Sequence, residues 1–400
     1  MKKRFNICDF YLIIILLIAL KDVLYSGGGL ISMGLQFLFL GLSILYWFHA
    51  NLKYKLPVYF KALNVLLLLF TVYGVLLLLS GEILYIQMLG KKAIKIEYLL
   101  GIYKSFLPIY AFYSFGREGM LTENKMYVWF FIFLAMAIFG YYRQQMQALQ
   151  LLEESGSDRE EITNNLGYAF VGLLPAIILF RKKIVLQYVF LFVCCFFVVS
   201  SMKRGAILCA AICLIWFLST SYKVVSRNRR WVLVLMGLVF FVAGFWFINN
   251  LLESSDYFVQ RIEQTQEGNS SYRDDLYSLY YNHFIHENNI IRFLFGNGAW
   301  ATLKIGDNFA HNDWLEIAIG QGLLGLTVYL VYWLCFFKTW RRLKENKEAF
   351  IAVGMTFVIY FVMTMFSMSY SNMNRCSAMV LGYYLASMSF LKETEVSIQT

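Results

Sequence analysis

Charge is what this chain has least of. Only 15% of its 400 residues are charged, while 60% are apolar and 18% aromatic, with just three prolines. That balance excludes a soluble domain, which could not hide so much apolar surface. No glycine-rich phosphate loop for ATP, no nucleic-acid signature and no soluble catalytic domain is present. Chemistry therefore runs in a membrane or on its outer face, driven by the substrate rather than by cytoplasmic nucleotides. Seven cysteines, an odd number, all lie in or beside apolar runs, which excludes a disulfide framework. No small-residue cleavage site follows Met1-Lys2-Lys3-Arg4, so the first apolar run reads as an uncleaved span. There is no fixed-period repeat, and no low-complexity segment beyond Gly27-Gly28-Gly29.

What the chain does have is long apolar runs. Spanning a bilayer takes about 20 helical residues, and the runs near 7–22, 30–50, 58–79, 97–115, 126–142, 166–180, 184–200, 205–220, 231–249, 313–337, 349–369 and 375–391 are candidates. The fold class is an all-α polytopic membrane protein, one integral membrane domain over 1–400 with about twelve transmembrane helices. The net charge of +10 is a matter of topology. Basic clusters at 181–183, 223–230 and 338–347 anchor the cytoplasmic side, and an even number of spans puts both termini there. Two outer features result. One is an acidic loop near 143–165. The other is a long segment at about 250–312, inserted between spans nine and ten, which needs helices and a job of its own. Within it Ser271-Tyr272-Arg273-Asp274 reads as a capping box, followed by Leu276, Leu279, Tyr280 and Phe284 at the spacing of an amphipathic helix over 272–287, able to lie on the outer membrane face.

Few residues are equipped for chemistry. His311 stands where the long loop enters the tenth span, partly desolvated yet reachable from water, with an ordinary pKa near neutrality that suits a general base. The competing reading is an interfacial histidine bonded to a headgroup or a loop carbonyl. Asn312, Asp313 and Glu316 support His311 or merely cap and solvate the helix start. Leu315, Ala318, Gly322 and Gly325 share one face of that helix, where small residues admit a neighbouring helix. Ser200-Ser201-Met202-Lys203-Arg204-Gly205 is a polar break on the predicted outer side. Arg204 offers a fork of donors for phosphate and Lys203 a point charge, against the alternative of snorkelling to phospholipid headgroups. Arg273, in the first turn of the loop helix, either pairs with Asp274 or Asp275 or joins the helix N-terminus in binding phosphate. His283 and His286 belong to a solvated face, since two histidines without companions do not make a zinc site. Lys104 is a buried-charge candidate close enough to the outer surface to snorkel. Trp300 and Trp314 fit an interfacial belt.

Three stretches resemble the O-antigen polymerase/ligase superfamily of bacterial membrane glycosyltransferases. They are Ser201-Met202-Lys203-Arg204-Gly205-Ala206, the loop from Arg273 to Phe295-Gly296-Asn297-Gly298, and Ala310-His311-Asn312-Asp313-Trp314-Leu315-Glu316 through Gly322-Leu323-Leu324-Gly325. The resemblance spans roughly 184–337. It implies metal-independent, cofactor-free glycosyl transfer at the outer face of the bacterial inner membrane, with an undecaprenyl-pyrophosphate-linked glycan as donor. Arg204 and Arg273, with Lys203, would hold the pyrophosphate, and His311 would activate the acceptor hydroxyl. Many members carry an acidic residue where this chain has Gly320. The implied product is O-antigen, capsule or exopolysaccharide. A ligase moving finished glycan to lipid A core or protein is the close alternative. A flippase and a chain-length regulator are the expected partners besides membrane lipid, with no nucleic acid. A transporter of lipid-linked glycan or a small anion is the rival of another class, but repeats or interrupted helices in matching positions are not visible.

Overall fold

The computed structural model describes residues 6–24, 30–81, 83–86, 91–154, 163–224, 227–266, 273–367 and 369–399. Helices stand at all twelve apolar runs. They are α1 (Ile7–Leu24), α2 (Leu30–Lys53), α3 (Val58–Leu79), α4 (Ile96–Arg117), α5 (Glu123–Glu154), α6 (Gly167–Val171) with a following 3₁₀ segment (Leu174–Phe180), α7 (Ile184–Ser200), α8 (Arg204–Val224) and α9 (Arg227–Ser254). The 250–312 segment supplies α10 (Asp256–Gln266), α11 (Arg273–Ile285), α12 (Ile290–Phe295) and α13 (Thr302–Ile305). Then follow α14 (Asp313–Arg341), α15 (Lys347–Met363) and α16 (Arg375–Gln399). Two-residue strands at Tyr85–Ile86 and Lys91–Lys92 pair antiparallel between α3 and α4.

Among the described residues six helices are long and apolar enough to cross a membrane: α2, α3, α5, α8, α9 and α14. The others fall short for physical reasons. α7 and α15 have 17 residues each. α1 carries three charges within 18 residues, and the middle of α4 is diluted by Lys104 and four tyrosines. The sixth run is not one helix. A short α-turn gives way to a 3₁₀ segment that begins Leu174-Pro175, because proline cannot donate to the preceding turn. α5 runs on to Glu154, so the outer loop placed at 143–165 begins a dozen residues later. At 1.5 Å per residue α5 is roughly 48 Å long, well beyond a hydrocarbon layer of about 30 Å. Residues 155–162 of that loop, and Ser271 and Tyr272 of the capping box, lie outside the described residues.

α4 packs against α2, α3 and α16, while α14 lies along α3 and α15 along α8. Aromatic rings fill the seams: Tyr59 against Phe336 at 4.7 Å and Phe60 against Tyr110 and Tyr113 at 4.7 and 4.8 Å. The segments assigned to the inner side meet at one end of the bundle. There Lys125 pairs with Asp9 at 2.6 Å, and Glu118 takes Lys53 at 2.5 Å and His49 at 2.9 Å. Arg181 bridges Glu123 at 2.7 Å and Glu348. The segments assigned to the outer side meet at the other end, where Asn312 Nδ2 donates to the Met365 carbonyl at 3.0 Å and the Met373 N–H to Ser105 Oγ at 3.3 Å.

The tenth run is bent. Gly322 has φ 65° and ψ −159°, so α14 is two helices joined at a residue whose positive φ suits glycine. The small-residue stripe is thereby interrupted. What approaches Gly322 is not another long helix but the loop backbone: a Cβ there would stand 2.5 Å from the Gly296 nitrogen and 2.7 Å from the Leu294 carbonyl. The carbonyls freed by the break are taken by the Gly296–Gly298 turn. Asn297 N–H donates to Ile319 O and Gly298 N–H to Gly320 O, both at 2.9 Å. Tyr73 of α3 fastens the same turn by donating to the Phe295 carbonyl.

Candidate functional site

The backbone enters α14 through a cap. Asn312 is extended (φ −148°, ψ 117°), and its side chain accepts from the Trp314 and Leu315 N–H groups at 3.0 and 3.2 Å. The residue before it, His311, has φ +50°, a left-handed conformation that costs a non-glycine residue about 1–3 kcal/mol. Neighbouring bonds hold it there. Tyr277 of α11 donates to the His311 carbonyl at 3.2 Å and to the Met365 carbonyl at 3.1 Å. The Ala310 N–H donates to Glu316 Oε2 at 3.0 Å, and Thr302 Oγ1 donates to Glu316 Oε1 at 2.8 Å.

Asp313 and Glu316 are therefore not solvated. Both are buried, at 0% and 4% exposure. Asp313 accepts from Tyr329 OH at 2.6 Å and from both the N–H and hydroxyl of Ser369, while its own N–H donates to Thr364 O at 2.8 Å. These carboxylates fasten the α14 entrance to α13 and to the α15–α16 connection, which fixes the backbone on either side of His311. α11 contributes Leu276, Tyr280 and Phe284 to a small apolar cluster with Ala301, Ala310 and Ile319. Tyr280 OH donates to Asn308 O at 2.6 Å. The loop helix thus packs on the protein as well as presenting an outer face.

His311 opens into a cavity of about 820 Å³. One pole carries His311, Lys203 and Arg273. Lys104 and Arg375 also line it, and an apolar wall comes from Ile15, Ile18, Phe133 and Met136 of α1 and α5. The lining thus holds four cations and, among the described residues, no carboxylate. Burial first, then the Arg273 guanidinium and the Lys203 ammonium, hold the His311 imidazole below its usual pKa range. It is neutral where a free histidine begins to protonate, with a lone pair available beside two fixed positive charges.

The α7–α8 break that supplies Lys203 is itself strained and pinned. Met202 has φ +51° and is buried. The Ser201 carbonyl accepts from Asn164 N–H at 2.8 Å, and Tyr141 OH donates to Ser200 O at 2.8 Å. Gly205 leaves room for Tyr168, whose hydroxyl would stand 2.2 Å from a Cβ there. Arg204 opens α8 next to Lys203 but is not among the cavity-lining residues. At Gly320 a Cβ would meet the Gly298 carbonyl oxygen at 3.2 Å. The turn leaves a side chain at that position a tight backbone contact rather than open space.

Lys104 lines the cavity and donates to Gln36 Oε1 at 2.7 Å rather than snorkelling outward. Arg375 was not singled out from the sequence. Ser371-Asn372-Met373-Asn374-Arg375 is a polar break ending in a cation on the predicted outer side, the same signal that marked Lys203 and Arg204. His283 and His286 stay apart from the site: His283 faces Glu287 at 4.0 Å, and His286 Nδ1 lies 2.9 Å from the Asn282 carbonyl. Trp300 is 9% exposed and packs on Tyr98 and Phe309, so it belongs to the core rather than to a belt. Trp314 turns inward too, donating from Nε1 to Thr364 Oγ1 at 2.9 Å. No protein-family model and no curated protein matches the chain.

Proposed function

We propose that the chain is a polymerase that joins undecaprenyl-pyrophosphate-linked oligosaccharide repeat units into O-antigen, capsular or exopolysaccharide. One observation carries the reading: a cavity with an apolar wall and a cationic pole in which the imidazole is kept neutral. A polyprenyl-pyrophosphate glycan has matching parts, a hydrocarbon chain, an anionic linker and a sugar. In this proposal Lys203 and Arg273, with Arg204 beside them in the chain, hold the pyrophosphate of the donor. The acceptor hydroxyl attacks the anomeric carbon while His311 takes its proton. The bond from that carbon to the pyrophosphate oxygen breaks, and the departing charge is stabilised by the fixed cations.

The proposal extends to topology. All twelve runs cross the bacterial inner membrane, both termini are cytoplasmic, and the 250–312 loop with the cavity faces outward, within reach of a flippase and a chain-length regulator. A ligase would use the same donor and leaving group with another acceptor. The break in α14 does not favour transport, because its freed carbonyls are bonded to Asn297 and Gly298 rather than turned to a cavity. The test is the glycan ladder of a strain lacking the gene, complemented with wild type or His311→Ala. Single repeat units in place of the ladder, with variant protein at the normal level, are expected. A normal ladder from His311→Ala overturns the mechanism, and long unattached glycan on the carrier lipid identifies a ligase. Purified protein that releases undecaprenyl pyrophosphate from a lipid-linked glycan rules out transport as the sole activity.

A further inference from the structure

Two cavities meet the entrance of α14, and they share no lining residue. The second is an open pocket of about 540 Å³ between α11, the first turn of α14 and Met365. Tyr277, Tyr281 and Trp314 make its walls aromatic, and no charged residue lines it. Arg273, Tyr277 and Tyr281 recur every four residues along α11, on one side of the helix. Arg273 lines the cationic cavity, whereas the two tyrosines line the pocket. The pocket is also tied to the backbone of His311, because Tyr277 donates to the His311 carbonyl at 3.2 Å and Asn312 is a lining residue. Its edge is polar. Tyr281 is 57% exposed, and its hydroxyl has no partner among the described residues. The Ser278 hydroxyl accepts from Asn282 Nδ2 at 3.3 Å and keeps its own proton to donate. Asp274 and Asp275, both exposed, stand on the preceding turn. Exposed carboxylates do not lie in hydrocarbon, so the pocket faces water, and they repel an anionic lipid headgroup.

We propose that this pocket is a saccharide subsite, which seats an uncharged sugar ring of the glycan beside the His311 pole. The proposal rests on the polymerase reading and deepens it. A pyranose ring has two kinds of surface. Its axial C–H bonds make an apolar face, which stacks on the electron-rich face of an aromatic ring. Its hydroxyls project from the edge and need hydrogen-bond partners there. Tyr281 and Trp314 offer the first kind of contact, and the hydroxyls of Ser278 and Tyr281 offer the second. A pocket without charge gains nothing from an anionic linker, so the two cavities take different parts of one substrate. Tyr277 and Tyr281 stand about 6 and 12 Å along the helix axis from Arg273, a span that the first sugars of a glycan held there can bridge.

Saturation-transfer NMR reads weak sugar binding without turnover. The full chain is placed in phosphatidylcholine nanodiscs, free of sugar-headed detergent, and titrated with oligosaccharides from partial acid hydrolysis of the native strain's surface polysaccharide. Transfer to sugar C–H protons is expected for the wild type, with binding about tenfold weaker for Tyr281→Ala. Tyr281→Phe keeps the ring and is expected to bind as the wild type does. The Tyr281 ring is exposed, and the bonds of Tyr277 and Trp314 do not pass through it, so Tyr281→Ala should unfold with the wild type. No transfer to the wild type, or equal affinity of wild type and Tyr281→Ala, overturns the subsite. A Tyr281→Phe protein as weak as Tyr281→Ala overturns the stacking. Phospholipid that copurifies with the wild type but not with Tyr281→Ala in native mass spectrometry, without sugar binding, gives the pocket to lipid and overturns the proposal. Sugar bound through Tyr281, with a normal glycan ladder in the strain lacking the gene, keeps the subsite and refutes the polymerase reading alone. A ladder lost in that strain, with binding indifferent to Tyr281, refutes the subsite alone.

Discussion

Replacing Gly296 with alanine tests how the loop is clamped to the bent helix. Gly296 has φ 76° and ψ −172°, a region open essentially to glycine only, so alanine is strained there by about 1–3 kcal/mol. Its Cβ would also stand 2.3 Å from the Gly320 carbonyl oxygen and 2.5 Å from the Gln321 nitrogen. Both obstacles are backbone, so no rotamer change relieves them and the turn must lift from α14. Lifting breaks the bonds from Asn297 N–H to Ile319 O and from Gly298 N–H to Gly320 O, each worth about 0.5–1.5 kcal/mol. The expected loss is about 2–6 kcal/mol. Gly298 is the internal control. It has φ 97° but nothing within 4 Å of a Cβ, so Gly298→Ala carries the backbone strain without the collision. The assay is equilibrium unfolding in mixed dodecyl maltoside and SDS micelles, followed by tryptophan fluorescence. Gly296→Ala is expected to lose at least about 1 kcal/mol more than Gly298→Ala, the share of the two clamping bonds. Equal losses in the two variants refute the clamp.

Two further outcomes follow from the α14 entrance. Protein labelled with [13C]histidine gives one signal for each of four histidines, and the His311 signal, assigned by its absence in His311→Gln, is expected to titrate below the ordinary value of 6.5. Its neighbours disfavour the charged form, so the imidazole stays neutral to lower pH; Arg273→Gln removes one such neighbour and should move the midpoint up, and a midpoint at or above 6.5, or one indifferent to Arg273, contradicts the arrangement. At Glu316, Gln keeps an acceptor for the Ala310 N–H, and the Thr302 hydroxyl can turn to accept from the amide, so the loss stays below about 1 kcal/mol, whereas Leu leaves that N–H buried without a partner and costs about 1–3 kcal/mol. Equal losses in the same unfolding assay would show that the carboxylate charge, which both variants remove, and not its acceptor geometry holds the entrance.

The positions of the helices were legible because an apolar run of about 20 residues has few other uses. The bend in α14 was not. Gly320-Gln321-Gly322-Leu323-Leu324-Gly325 continues the apolar run without a proline, and read locally it is a stripe of small residues. What breaks the helix there is a turn more than twenty residues upstream that offers N–H groups to the freed carbonyls, a long-range contact that helical periodicity cannot register. The candidate base was legible from its place between polar loop and apolar run. The positive φ at His311 and Met202 was not, since only a few per cent of non-glycine residues adopt that conformation; it is imposed by the pinned segments on either side. Arg273 was found by its place in the first turn of the loop helix and by the family resemblance, and Lys203 and Arg204 by their sign on the outer side, where basic residues are unexpected. Arg375 carries the same signal and was passed over because it sits at the first residue of an apolar run, where a cation reads as an ordinary helix end.

How charge is distributed along the bundle bears on what the cavity holds. At the end gathering the segments assigned to the inner side, cations meet carboxylates within the protein: Lys125 with Asp9, Lys53 with Glu118, Arg181 with Glu123 and Glu348. Such pairs compensate each other and call for nothing from outside. At the other end the two carboxylates buried among the described residues, Asp313 and Glu316, do not line the cavity and are engaged by hydroxyl and backbone donors. Had they faced His311, they would have favoured the imidazolium. As placed, they add no carboxylate to the described cavity lining, and the imidazole is held toward its neutral form. An imidazole kept deprotonated there has its lone pair available at neutral pH, although the same cations weaken it as a base, and the cationic wall attracts an anion; the proposed reaction would use both.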